Sequence, residues 1–392
     1  MNGKLDRVVI VGASVAGLTA AETLRSQGFE GSITLVGDEG HSPYDRPPLS
    51  KQILVGTWDP ARLTLRDDAA IDRLQIDMQL GTRAVALNLR EHSVELDTQR
   101  CLPYDGLIIA TGVVPRRLPF GHDLAGVHVL RTLDDALALR AQLQPGKRLV
   151  VVGGGFLGCE VAAVACRAGL QVSIVDPVPV PMLAHLGGNV GRQVANLHHE
   201  NGVKLLFGQG VERLLGDVHV THVELESGTA LPADLVLVAV GSRPATDWLA
   251  DSGLAIEDGV VCDSTCCAAP GVYAAGDVAR WWHPELNRHI RIEHRLNAAE
   301  QAIAAATNLL GAGAPFLPVP YFWTDQYDAR IQAYGICSGD CSVSVVRGDP
   351  SQGRFIAHYA REGRISGVLA WNMPKELRAE RVNIGRHQVD VT

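Results

Sequence analysis

Apolar residues in this chain fall in short runs that are broken at regular places by glycine. The run VVIVGASVAGLTAAETL begins at residue 8, and LVVVGGGFLGCEVAAVA begins at residue 149. Each predicts an apolar strand, a glycine-rich turn and a helix with an apolar face. A second strand follows in both places, SITLV in the first and QVSIV in the second. Each half then runs through short strands to a closing apolar strand, YDGLIIATG ending at Gly112 and ADLVLVAVG ending at Gly241. Beyond these, NAAEQAIAAATNLLG has Ala and Leu at helical spacing, and the Pro-rich APFLPVPY marks a boundary. The remainder alternates in RIQAYG, SVSVVRG, FIAHYA and ISGVLAWN, as antiparallel strands do. Glu362–Gly363 predicts a hairpin turn, and Pro374 opens a last helix in PKELRAERVNIGR.

These elements imply an α/β chain with two Rossmann-like dinucleotide-binding domains, glutathione-reductase-like in arrangement, and a C-terminal α+β domain with an antiparallel sheet. The expected boundaries are 1–114 with 244–317 for a discontinuous first domain, 115–243 for the second, and 318–392 for the C-terminal one.

The doubled turn carries the first chemical signal. Gly12, Ser14 and Gly17 stand in one copy, and Gly153, Gly155 and Gly158 in the other. Such turns let backbone N–H groups approach a pyrophosphate at the positive end of a helix. Asp38 or Glu39 ends the second strand of the first copy, and Asp176 does so in the second. An acid about 20 residues past the glycines accepts hydrogen bonds from a ribose diol. Two such units suit electron transfer between two nucleotide cofactors. Asp176, followed by Pro177 and Val178 rather than arginine, points to NADH over its phosphorylated relative.

Composition narrows the picture. The chain has 392 residues, 46% hydrophobic and 20% charged, enough for two or three domains. The formal charge of −8 argues against a general nucleic-acid or anionic-membrane binder. From Arg347 onward, eight basic residues face five acidic ones, so this end carries +3 and the rest −11, and it is either a solvated surface or a docking face for an acidic partner. MNGKLDRVVIVG has no signal-peptide pattern and no stretch resembles a membrane span, so a cytoplasmic protein is expected. The eight cysteines form no CxxC or zinc pattern and read as reduced thiols. No disulfide is assigned.

Four further features bear on redox chemistry. In SPYDRPPLSK, two prolines stiffen the chain before Lys51, a surface lysine or a charge able to stabilise an anionic reduced flavin. Glu160 lies two residues past the last glycine of the second turn, in the first turn of the helix. It is either a carboxylate favoured at a helix N-terminus or a partner for Lys51 or a nicotinamide amide. Asp277 in AAGDVA reads as a helix N-cap, a ribityl contact, or both. Trp323 in PYFWTDQYD reads as a core aromatic or as a cover for a ring face.

In order along the chain, GASVAG, LVGDE, YDRPPLSK, ATG, LRTLDDA, VVVGGGFLGCEVAA, AAGDVAR, RIEH, PYFWTDQYD and WNMPKELR resemble the FAD-dependent NADH:ferredoxin reductases of oxygenase systems. The resemblance covers essentially the whole chain. It implies FAD contacts at Gly12, Gly17, Asp38, Arg46, Lys51, Ala84, Arg131, Asp277 and Trp323. It implies NAD(H) contacts at Gly153, Phe156, Leu157, Gly158, Glu160 and Asp176. Ser14, Ala16, Thr111, Gly112, Gly155, Gly241, Gly276 and Arg295 complete the candidate cofactor-binding set. The resemblance also implies catalytic roles: Lys51 pairs with Glu160 beside the flavin, and Trp323 shields the ring. The expected partner is an acidic [2Fe–2S] ferredoxin that feeds a haem-thiolate monooxygenase or a Rieske-type dioxygenase. Two positions depart from the pattern, Ser14 in the first turn and Arg295 where the family places Trp or another apolar residue. The alternatives are a thiol-dependent oxidase or disulfide reductase, which needs a cysteine absent from residues 1–100, and an NADH-responsive flavoprotein related to apoptosis-inducing factor.

Overall fold

Val8, Val9, Ile10 and Val11 are all buried, so the strand Arg7–Val11 takes a central place in its sheet. The computed structural model describes residues 5–386. Two units are formed. One comprises Met1–Asp45, Ala61–Val114 and Ser242–Pro318, the other Arg46–Pro60, Pro115–Gly241 and Val319–Thr392.

In the first unit a six-stranded sheet runs in the order Cys267–Ala269, Val272–Ala274, Gly106–Ile109, Arg7–Val11, Ser32–Val36, Asp77–Gln79. All neighbours are parallel except the first pair. The chain lays Ser32–Val36 on one side of Arg7–Val11 and Gly106–Ile109 on the other, so the strand order reverses there, a switch point of the kind where α/β sheets bind ligands. Helices Val15–Ser26 and Arg295–Leu309 pack together, with Ala20, Ala21, Ala302, Ala305 and Ala306 in one buried cluster. Small side chains let the two helices approach closely. Each fully buried Ile or Leu of this cluster contributes about 1.5–3 kcal/mol.

The second unit repeats the plan. Its parallel sheet runs Lys204–Phe207, Gln171–Asp176, Arg148–Val152, Leu235–Val238, Val127–His128. The same unit contains an antiparallel sheet in the order Tyr321–Gln326, Ala329–Gly335, Arg364–Trp371, Arg354–Arg361, Ser342–Asp349. The alternating pattern predicted four of these strands. Tyr321–Gln326 is the fifth, and its buried face carries two polar residues, Thr324 and Gln326. Glu362 and Gly363 both have positive φ, 51° and 74°, and turn the chain between Arg361 and its partner Arg364. The last helix is Pro374–Glu380. Among the described residues, no helix is long and apolar enough to cross a membrane. All eight cysteines are free.

Candidate functional site

Each glycine turn is closed by backbone in a way that no side chain would tolerate. A Cβ on Gly17 would lie 1.8 Å from the Gly12 carbonyl oxygen, and one on Gly158 would lie 2.0 Å from that of Gly153. Gly12 and Gly153 have φ of 119° and 109°, a region that favours glycine. The helices that follow, Val15–Ser26 and Phe156–Arg167, have Ser14 and Gly155 as N-caps with no side-chain cap bond and no acid in the first turn. A Cβ on Gly155 would meet nothing within 4 Å. Uncapped first-turn N–H groups fit the pyrophosphate of a dinucleotide, and both turns offer them, with open space beside Gly155 in the second.

Asp176 ends its strand facing the second turn. Its carboxylate accepts from Gly154 N at 2.6 Å and from Val178 N at 3.0 Å. Of the two acids considered in the first copy, Glu39 accepts from the Tyr44 hydroxyl, whereas the Asp38 side chain is exposed.

Lys51 sits in a π-helical turn, Leu49–Ile53, in which Ile53 N donates to Pro48 O at 3.0 Å. This differs from the stiff loop that the prolines suggested. Within the same unit its ammonium lies 2.7 Å from Glu160 Oε2, with side chains 14% and 8% exposed. Ser50 Oγ donates to the same oxygen at 2.5 Å. Thr324 Oγ1 donates to Glu160 Oε1 at 2.8 Å. Glu160 is the fifth residue of its helix, not part of the first turn as expected, because the helix begins only at Phe156. Its charge is therefore matched by Lys51 and two hydroxyls rather than mainly by the helix end.

The other candidates divide between the units. Arg46 Nη1 donates to the Arg131 carbonyl at 2.9 Å, and Arg131 N donates to Asp135 Oδ2 at 2.9 Å. Trp323 lies on the half-exposed face of its strand, stacked on Tyr321 at 6.0 Å, so it is not a core aromatic. Phe156 packs edge-on against His185 and Phe322, and Leu157 beside it is half-buried. Gly241 has φ of 91° and accepts from Arg116 N at 2.9 Å.

In the first unit, Ala16 is buried, and a Cβ on Gly276 would lie 3.3 Å from its own. Gly276 N donates to Gln301 Oε1 at 3.0 Å. Asp277 follows in a single 3-10 turn, Gly276–Val278, rather than capping an α-helix. Thr111 Oγ1 donates to Ala245 O at 2.9 Å, and Gly112 has φ of 67°. Ala84 is buried opposite Leu96. Arg295 opens its helix and donates to Asp45 Oδ1 at 3.0 Å. A cation is unfavourable at a helix N-terminus, and Asp45 compensates it.

Sequence reasoning singled out Gln326 beside Trp323 but gave no role to it or to Ser50, and it passed over Thr324 and His198. Gln326 Nε2 donates to Thr324 Oγ1 at 3.2 Å, and its Oε1 faces His198 Nε2 at 3.0 Å. The one available signal was the polar pair Thr324 and Gln326 at strand spacing beside the apolar Phe322. No thiol, by contrast, hydrogen-bonds Glu160, Ser50, Thr324 or His198 among the described residues. Cys159 is buried beside Glu160, and that burial pushes its pKa up strongly.

Residues 6–306 match the family model described as pyridine nucleotide-disulphide oxidoreductase, and residues 321–391 match that described as reductase C-terminal. The ferredoxin–NAD+ reductase component of the biphenyl dioxygenase system of Paraburkholderia xenovorans is 37% identical, covering 95% of this chain and 91% of that protein. Putidaredoxin reductase of Pseudomonas putida is 37% identical, covering 95% of this chain and 90% of that protein. Among solved structures, the reductase in the covalent putidaredoxin reductase–putidaredoxin complex superposes with a TM-score of 0.93 at 36% identity, covering 97% of this chain and 93% of that one.

Proposed function

Because the chain belongs to the pyridine nucleotide-disulphide oxidoreductase family, we propose that it is an FAD-dependent NADH:ferredoxin oxidoreductase whose electrons leave for a [2Fe–2S] ferredoxin serving an oxygenase. The observation that carries this reading is the buried Lys51–Glu160 ion pair where a thiol enzyme of this family would need reactive sulfur. When bound, FAD accepts a hydride from NADH and gives up electrons one at a time. The first glycine turn, from Gly12 to Gly17, holds the FAD pyrophosphate on first-turn N–H groups, with Asp38 toward the ribose. Residues 1–114 with 244–317 form the FAD domain, 115–243 the NAD domain and 318–392 the C-terminal domain.

Gly153, Gly155 and Gly158 hold the NADH pyrophosphate, and Asp176 receives the adenosine 2′-hydroxyl while repelling a 2′-phosphate. Lys51 offers a positive charge to the reduced flavin, Glu160 orients that charge and the nicotinamide, and Trp323 shields the ring from water. Arg46, Ala84, Arg131, Asp277 and Arg295 belong to the FAD-contacting set, and Phe156 and Leu157 to the nicotinamide set. The basic C-terminal end suits an acidic ferredoxin, and the protein works in the cytoplasm.

Steady-state turnover tests the reading. NADH should reduce the bound flavin, and a [2Fe–2S] ferredoxin should then accelerate its reoxidation. If the flavin is reduced but no such ferredoxin speeds its return, the partner assignment fails. A long-lived reduced complex with NAD+ would then favour a signalling flavoprotein.

A further inference from the structure

The hydrogen bonds around Glu160 do not end at Thr324. Within the same unit they continue through Gln326 and His198 to Tyr327, whose hydroxyl lies 3.3 Å from His198 Nδ1. Thr324, Gln326 and His198 are fully buried, and Glu160 is 6% exposed.

The roles of every atom in this chain follow from its charged end. A carboxylate paired with Lys51 can only accept, so the Thr324 hydroxyl donates to it. Thr324 has one hydrogen, now used, so it accepts from Gln326, whose NH2 must face it. The other end of that amide is then its carbonyl oxygen, so His198 Nε2 must carry a hydrogen. A neutral imidazole has one N–H, so Nδ1 is left as an acceptor facing the Tyr327 hydroxyl, which Cys166 also engages. Burial pushes the His198 pKa down to about 4, which keeps the ring neutral, and burial pushes the Tyr327 phenol up. The amide NH2 has a second acceptor in Met182 Sδ at 3.5 Å, which resists a flip.

We propose that Thr324, Gln326 and His198 are positioning residues whose donors all point toward Glu160, so that the Nε2–H tautomer of His198 sets the orientation of the carboxylate that holds Lys51. The order is built into three elements: helix Phe156–Arg167 brings Glu160, strand Tyr321–Gln326 brings Thr324 and Gln326, and helix Leu183–Glu200 brings His198. An amide interrupts the chain, so it orients rather than carries protons. The effect on hydride transfer rests on the function proposed above. The tautomer does not.

Two measurements on the intact FAD-loaded protein test this. Imidazole 15N spectra at neutral pH should show His198 as the Nε2–H tautomer, and an Nδ1–H or cationic ring would overturn the proposal. In stopped-flow reduction by NADH, Gln326→Leu should slow flavin reduction by about tenfold, with NADH Kd changed less than about twofold. In a Glu160→Gln background, the same substitution should slow reduction no further. Equal losses in both backgrounds, or no loss in either, would overturn the proposal. Should Gln326→Leu fail to fold, His198→Gln, which keeps a donor toward Gln326, should preserve the rate, whereas His198→Phe should lower it. Equal rates in these two variants would overturn it as well. A protein that takes up no FAD would instead defeat the functional reading and leave the tautomer to be read on the apoprotein.

Discussion

Lys51 and Thr324 hold different oxygens of one carboxylate, Lys51 Nζ at 2.7 Å from Glu160 Oε2 and Thr324 Oγ1 at 2.8 Å from Oε1. A buried carboxylate gripped at both oxygens has little rotational freedom, so the ammonium it holds is fixed as well. That is the arrangement expected where a charge must wait in place for a reaction rather than swing in from solvent.

Lys51→Ala should lower the rate of flavin reduction by NADH by about a hundredfold, the low end for loss of one preorganised charge-stabilising group. FAD affinity should change much less. Stopped-flow reduction and FAD titration check this, and a rate equal to wild type would retire the role given to Lys51. Removing the ammonium also leaves Glu160 without its cation, at a cost of about 3–5 kcal/mol of stability for a pair this buried, seen by denaturant unfolding.

Asp176→Ala should raise the ratio of kcat/KM for NADPH over NADH by about tenfold, equivalent to about 1.4 kcal/mol. The same change strips Gly154 N and Val178 N of their acceptor, so some loss with both cofactors is expected. An unchanged ratio would show that the strand-end carboxylate does not face the adenosine ribose.

Acid should weaken the fold through His198. Its folded pKa is about 4 against an ordinary value near 6.5, so between those pH values the unfolded chain binds a proton that the folded one does not. The contribution is intact above pH 6.5 and is lost as pH falls toward 4, by about 3 kcal/mol in all. Urea unfolding across this window should show stability falling with pH, with a shallower slope in His198→Gln. Burial also lowers the pKa of His122, His128 and His283, so the difference between the two proteins, not the wild-type slope alone, reports His198.

Thiol reagents should label Cys101 first, because it alone among the eight cysteines is exposed, while burial pushes the Cys159, Cys262, Cys266 and Cys337 thiols up. Flavin reduction by NADH should survive that labelling, as mass mapping and stopped-flow can establish. Loss of reduction after modification of Cys101 alone would reopen a sulfur-based mechanism.

Features enforced by backbone geometry were legible from the residues. Gly12, Gly17, Gly153 and Gly158 leave no space for a side chain, and Glu362–Gly363 needs left-handed φ twice, so residue type announces structure there. Asp176 was equally plain as a strand end, because the apolar run QVSIV stops at it. The polar chain behind Glu160 was not legible. Thr324 and Gln326 put polar groups on the face where alternation leads one to look for apolar residues, which also hid the strand that carries them. His198 is one of several histidines on a polar-looking helix, and only packing shows that it is fully buried. The wide π-turn at Lys51 has no residue signature at all, since it is defined by which carbonyl each N–H reaches.

The segment Arg46–Pro60 clusters with the second unit although residues of the first flank it on both sides. Anyone building chimaeras from related reductases should therefore cut at that segment's own ends. A graft of residues 1–114 as one block would import a foreign lysine to meet the resident glutamate, and mismatched hybrids of that kind should assemble poorly even when each parent is robust.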